Sequence, residues 1–303
     1  MKECKKILKI IEHPSLILYY FDKFGIKRIS DKKFLEYKYF FVLNKKLDLE
    51  NPQTFNEKLQ WLKLYDRNPE YIRMVDKYEV KKYVANIIGE EHIIPTLGIY
   101  NSFEEIDFQK LPNQFVMKCT HDCGSIIICK DKSKFNMEKA KNKINKALKY
   151  NYYYAGREWP YKNVKPRIII EKYMVDESGT ELKDYKIFNF NGISKIIQVD
   201  FGRFKEHKRN LYDTNWNYIK ELSIQYPNDS NTIIKKPENL EMMIKLAQKL
   251  SQGIPHLRTD FYSINGKIYF GELTFYHGSG FEKFNPETWN KKLGDWIDLS
   301  NVK

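Results

Sequence analysis

The sequence runs to 303 residues, enough for one large or two to three small domains with a substantial core. Lysine and arginine number 52 against 39 acidic residues, and the net charge of +13 points to anionic partners: nucleotides, an acidic polymer, lipid headgroups or nucleic acid. The four cysteines exclude a disulfide framework, since Cys119, Cys123 and Cys129 crowd one segment and Cys4 stands far off, so a reducing, cytoplasmic setting is expected.

The chain opens with Lys2, Lys5 and Lys6, but Lys9, Glu12, His13 and Pro14 interrupt the apolar stretch that a cleavable signal requires. Ser15 to Phe21 is far shorter than a membrane span. A basic amphipathic opening over Lys2–Phe21 suits peripheral contact with an anionic membrane surface, or equally a helix packed on its own domain. Residues 1–53 read as a basic, mostly helical extension ending around Leu49-Glu-Asn-Pro52. After Thr54, Phe55, Leu59 and Leu62 share one helical face. A second helix is expected from near Asp76, with Val80, Tyr83, Val84, Ile87 and Ile88 at helical spacing and a stop at Gly89. A strand around Ile93–Tyr100 and a short helix over Ser102–Ile106 follow.

Gln114-Phe-Val-Met-Lys118 is a strand-like run ending in a lysine, Thr120–Ser125 a polar turn, and Ile126–Cys129 a resumed strand. A strand lysine followed by a small-residue loop can set an ammonium and free backbone N–H groups against phosphates, although the Gly-x4-Gly-Lys-Ser/Thr pattern is absent. Cys119-x-His121-x-Cys123 hints at zinc but lacks a second ligand pair. Next come a helix through Met137, Ala140, Ile144 and Leu148, a Tyr-rich segment over Tyr150–Tyr161, and an apolar strand over Arg167–Met174. Asp184–Phe190 leads through Asn191-Gly192 into Ile193–Val199, a type I′ hairpin signal. Arg203, Lys205, His207, Lys208 and Arg209 form a basic run that would grip an anionic glycan or simply be solvated. A helix is expected over Pro237–Ser251, with Gly253 past its end.

The last hairpin turns at Asn265-Gly266. Asp260 is expected just before its first strand and Glu272 at the close of its second, which brings two carboxylates together at the open end. Such acids ahead of a Gly-Ser-Gly turn make a hard-oxygen site suited to magnesium; the alternative is a surface hairpin whose acids keep an edge soluble. Strands, hairpins and long helices intermix, so the fold class is α+β.

Order and wording then carry a resemblance. Phe55-Asn-Glu-Lys-Leu-Gln-Trp61, Leu111-Pro-Asn-Gln-Phe-Val-Met-Lys118, Arg157-Glu-Trp-Pro160, Ile170-Glu-Lys-Tyr-Met174, Asp184-x-Lys186, Arg258-x-Asp260 and Phe270-Gly-Glu-Leu-Thr-Phe275 together resemble the TupA-like ATP-grasp family, associated with teichuronopeptide, capsule and other surface-polysaccharide synthesis. The chain departs from the pattern at Thr274, where many superfamily members have Asn, and in its helical residues 1–90, which hold no Rossmann-like strand set.

The resemblance implies an ATP-grasp fold: a pre-lid region over 54–112, a lid over 113–170 and a central ATP/Mg sub-domain over 171–303. It implies ATP and Mg2+ as cofactors, with Asp260, Glu272 and Thr274 at the metal. Nucleotide contacts would come from Lys118, His121, Gly124, Ser125, Glu171, Lys172, Tyr173, Met174 and Asp184, and catalytic roles fall to Arg258 and Lys186. The implied activity is ATP-dependent carboxylate–amine ligation of an anionic small molecule or glycan with an amine. A phosphotransferase or a glycosyltransferase of the same pathways stays open as an alternative. A nucleic-acid partner is not expected, for want of any matching motif, and the oligomeric state stays open.

Overall fold

The N-terminal third is helical because its apolar residues recur at helical spacing between good caps. In a computed structural model that describes residues 14, 17–176, 182–202, 206–300 and 302, α1 spans Ile17–Lys23 and α2 spans Asp31–Leu43. Of the amphipathic opening, only Pro14 and the part from Ile17 onward lies among these residues. Ser30 caps α2 by accepting from the Lys33 amide. Thr54 and Glu57 form a reciprocal capping box at the start of α3, Phe55–Tyr65. A helix not anticipated from the sequence, α4 at Glu70–Val75, precedes α5 at Glu79–Ile88. Asp76 lies between them and accepts from the amides of Tyr78 and Glu79, so it starts α5 without belonging to it.

Two antiparallel sheets follow. The first has the order β1 (Thr96–Tyr100), β4 (Ile168–Lys172), β2 (Phe115–Cys119), β3 (Ile127–Cys129). Its strand β4 presents four buried residues in a row and is hydrogen-bonded on both sides, which is why β1 is drawn in from upstream. Helix α6, Met137–Leu148, covers this sheet through Ala140 and Ile144. A four-residue helix α7, Tyr153–Gly156, sits within the Tyr-rich segment.

The second sheet has the order β10 (Lys267–Thr274), β9 (His256–Ile264), β5 (Asp184–Phe190), β6 (Ile193–Phe201), β7 (Lys208–Tyr212). Both hairpin turns are as expected: Asn191-Gly192 and Asn265-Gly266 each have φ > 0 at both positions. Helix α8, Leu240–Leu250, buries Leu240, Met243, Leu246, Ala247 and Leu250 against this sheet. A short ribbon of β8 (Ser223–Ile224) and β11 (Phe284–Asn285) and the last helix α9, Thr288–Asp295, complete the described chain.

Each sheet has its own core, and a third cluster joins Tyr19, Phe34, Leu35 and Tyr39 of the N-terminal helices to Phe281. The class is α+β, with a helical N-terminal region. Among the described residues, no helix is long and apolar enough to cross a membrane.

Candidate active site

A cavity of about 290 Å³ opens between the two sheets, near the lower end of the range for small-molecule sites. The first sheet contributes Val116, Lys118, Ile128, Glu171 and Lys172, and the hairpin β9–β10 contributes Tyr262, Phe270, Glu272 and Leu273. The segment Tyr173-Met-Val-Asp176, leaving β4, and α4–α5 residues Met74, Val80 and Lys81 close the remaining sides. The lining is therefore apolar in the middle, with charged groups on the sheet walls.

Glu171 organises the first wall. It is buried, and its two oxygens meet Lys81 Nζ at 2.5 Å and Lys118 Nζ at 2.6 Å. Burial alone would raise its carboxyl, but Lys118 and Lys81 together hold it below the ordinary value. Burial also lowers the Lys81 ammonium, a shift that Glu171 opposes. Lys81 additionally donates to the Ile94 carbonyl at 2.6 Å. Lys172, next to Glu171 at the end of β4, is exposed where it borders the cavity.

The second wall ends in a cluster of charges. In the ladder, Lys186 on β5 and Glu272 on β10 both pair with Asp260 on β9, and Thr274 pairs with Arg258. Asp260 is thus in the middle of a nine-residue strand that begins at His256, not just before it. The strand starts early because Leu257, Thr259 and Phe261 alternate inward and extend the ladder with β5. A register shift between Phe270 and Glu272 swings Glu272 across from Asp260.

Arg258 grips Asp260 through two bonds, Nε–Oδ1 at 2.7 Å and Nη2–Oδ2 at 2.8 Å, and reaches Glu272 Oε1 at 2.7 Å. Lys186 lies 2.5 Å from Asp184 Oδ2 and also donates to Asp260. Thr274 Oγ1 donates to Glu272 Oε1 at 3.3 Å. Burial would lower the Lys186 ammonium, but Asp184 and Asp260 raise it; Arg258 is raised likewise by Asp260 and Glu272 against its burial. Burial would raise Glu272, and Arg258 with Lys186 pulls it below its ordinary value. Each of these shifts favours the charged form of its group.

Three carboxylates (Asp184, Asp260, Glu272) against two cations (Lys186, Arg258) leave one net negative charge. Among the described residues, no three His, Cys, Asp or Glu side chains converge as ligands of one ion. A magnesium ion that takes one or two carboxylates and fills its remaining positions with phosphates and water needs no such cage. Glu272, whose side chain is 46% exposed, and Asp260 beside it fit that partial set of hard oxygens.

Other expected nucleotide contacts lie apart. His121 Nε2 is 3.2 Å from the carbonyls of Ala147 and Tyr150, inside the fold of the first sheet. Ser125 Oγ accepts from the Cys119 amide at 2.7 Å and donates to Asp122 at 2.7 Å, so its hydroxyl shapes the turn. Ile126, one residue on, borders the cavity; His121, Gly124 and Ser125 do not. Tyr173 and Met174 line it, whereas Asp184 sits at the start of β5 within the charge cluster. Of the basic run, Arg203 and Lys205 lie outside the described residues, and Arg209 is buried against Asp200 at 2.7 Å and Glu282 at 2.9 Å, where it faces no surface glycan.

Sequence reasoning missed Lys81 and Lys77, whose i, i+4 spacing across the start of α5 was the available signal; Lys77 donates to the Asp122 carbonyl and lines the cavity. It also missed His277, which lies 2.8 Å from Arg258.

The family described as TupA-like ATPgrasp matches residues 57–298. No curated protein matches the sequence. Solved structures similar to the chain include a D-alanine–D-alanine ligase from Helicobacter pylori, 14% identical, with a TM-score of 0.45 over 83% of this chain and 66% of that one. A D-alanine–D-alanine ligase from Bacillus anthracis complexed with ATP is 14% identical, with a TM-score of 0.37 over 67% of this chain and 53% of that one. An L-amino acid ligase from Bacillus licheniformis is 14% identical, with a TM-score of 0.39 over 69% of this chain and 42% of that one. The chain thus spans under two thirds of these relatives' length, or at most 66% of it.

Proposed function

We propose that this chain, which belongs to the TupA-like ATP-grasp family, is an ATP-dependent carboxylate–amine ligase. One observation carries the reading: a single cavity is bordered by both sheets, with Lys118, Glu171 and Lys172 on one wall and Glu272 on the other. A nucleotide held between them would have Val116, Ile128, Phe270 and Leu273 for its base, Tyr173 and Met174 beside it, and Glu272 for the metal at its phosphates. In this reading the four-stranded sheet serves as the lid and the five-stranded sheet as the central sub-domain.

The chemical need is to make a carboxylate electrophilic while two anions approach. Lys118 and Lys172 offset phosphate charge at the nucleotide. Arg258, charged at any pH and able to hold two oxygens, would act on the transferred phosphoryl group, while Lys186 steadies Asp260 and Asp184 beside it. Magnesium would be held by Asp260 and Glu272, with Thr274 supporting Glu272, and would supply charge neutralisation at the phosphates. The products are ADP, phosphate and an amide. The family association and the net charge of +13 favour a carboxylate-bearing surface polysaccharide or its precursor as the substrate that receives an amino acid or amine. The cysteine spacing favours work in a reducing cytoplasm, and the positive charge favours peripheral contact with an anionic membrane surface there.

Incubating the full chain with MgATP, a panel of uronates and a panel of amino acids, and analysing products by mass spectrometry, tests the reading. ADP, phosphate and amide in equal amounts are expected. ADP with a phosphorylated acceptor and no free phosphate would replace ligation by phosphoryl transfer.

A further inference from the structure

The turn after β10 holds a histidine for which the proposed chemistry has no use. His277 is 2% exposed. Arg258 Nη1 lies 2.8 Å from its Nδ1, and its Nε2 lies 2.7 Å from Glu282 Oε2. A guanidinium only donates, so Nδ1 is the acceptor and the ring proton belongs on Nε2, facing Glu282. That second contact is short but off the N–H axis, so its attraction is more electrostatic than a formed hydrogen bond. Glu282 is itself fixed by Arg209 Nη1 at 2.9 Å. The backbone makes room for this: Gly278 has φ +54, and a Cβ there would stand 2.2 Å from Glu282 Cγ. Phe188 packs edge-on against the imidazole, with ring centroids 4.7 Å apart.

We propose that His277 is a positioning residue which, protonated on Nε2 and backed by Glu282, fixes the plane of the Arg258 guanidinium. The inference rests on the reading of Arg258 as the group facing the phosphoryl being transferred. The other edges of that guanidinium are held by Asp260 and Glu272, the two residues assigned to the metal. Nη1 alone is held by an uncharged acceptor that has no affinity contest with magnesium through a carboxylate. His277 therefore keeps Arg258 aimed while those carboxylates change partners. Burial also pushes the imidazole below its ordinary value, against the pull of Glu282, which keeps the ring neutral near pH 7.

Nitrogen-15 NMR on the full chain, labelled at histidine and arginine and without nucleotide, tests this directly. His277 is assigned by the signal lost in His277→Gln, and Arg258 by the signal lost in Arg258→Lys. The expected result is an unprotonated Nδ1 with the proton on Nε2. Rotation about the Arg258 Nε–Cζ bond should be about tenfold faster in His277→Phe, the equivalent of one charge-assisted hydrogen bond. Glu282→Gln, which keeps the imidazole in place, should accelerate the same rotation and provides the reading if His277→Phe does not fold. A protonated Nδ1 in the unaltered chain, or an unchanged rotation rate in the folded variants, overturns the proposal. Because no ATP is present, a chain that makes no ADP would overturn the ligase reading and leave this result standing.

Discussion

At the scale of single residues, the two carboxylates proposed to hold magnesium are not equivalent probes. Asp260 is 1% exposed and bound by both Arg258 and Lys186. Removing its charge leaves two buried cations short of a partner, which costs about 3–5 kcal/mol of stability. Asp260→Asn should therefore lose activity and lower the unfolding midpoint together. Glu272 is half exposed, so Glu272→Gln should abolish turnover at saturating magnesium with a nearly unchanged melting temperature. Near-normal turnover in that variant would remove Glu272 from the site. Thr274→Asn should be tolerated, since either side chain can support the neighbouring carboxylate. On the opposite wall, Lys118→Met should weaken ATP binding by about 1–3 kcal/mol, the range for a hydrogen bond to a charged group. Calorimetry on the folded variant checks it; an unchanged dissociation constant would confine Lys118 to its pairing with Glu171. For Arg258→Lys, kcat should fall about 10²–10³-fold, the usual cost of one preorganised donor, with ATP affinity barely moved.

At the scale of elements, the N-terminal helices are tied to the rest by a buried charge clamp. Arg157 is 2% exposed and meets Asp22 at 2.6 Å and Asp31 at 3.0 Å, with its guanidinium over the Phe34 ring at 4.1 Å. It is also one of the non-glycine residues with positive φ, at 56°, a conformation that its surroundings must enforce. Arg157→Met removes the charge that both aspartates face, so urea unfolding should show a loss of about 3–5 kcal/mol. A variant as stable as the parent would mean the helices dock through their other contacts, among them Tyr39 on Phe281 and Lys38 on the Ala155 carbonyl. This clamp could not be read from the sequence, because Asp22 and Arg157 are 135 positions apart and the motif Arg157-Glu-Trp-Pro160 says nothing of a partner so far upstream. What could be read was local: the Thr54 capping box, the two Asn-Gly turns and the 3.6-residue periodicity of α5, α6 and α8 all reside within a few residues of chain. Helix α4 escaped notice because six residues after a proline carry too little periodicity to register.

At the scale of the whole molecule, ordered motifs made the charge cluster legible while the cavity was not. Asp184, Lys186, Arg258, Asp260 and Glu272 do come together, because alternate residues on antiparallel neighbours share a face. The loop residues His121 and Ser125 bond within the fold of the first sheet and do not border the cavity, a distinction that sequence cannot make because polar side chains in a turn look alike whether they face a ligand or hold the fold. Lys81 and His277 were overlooked for the converse reason: each meets a partner supplied by another element, which the Lys77–Lys81 spacing alone does not reveal. The central claim is that the cavity between the sheets serves to transfer a phosphoryl group onto a carboxylate. The most direct measurement uses a carboxylate substrate from the product screen, labelled with oxygen-18 in its carboxyl group, and follows the label by mass spectrometry of the phosphate released. An acyl phosphate requires one labelled oxygen to leave with the phosphate as the amide forms. Labelled phosphate in step with amide is the predicted result; amide formed with unlabelled phosphate would contradict it.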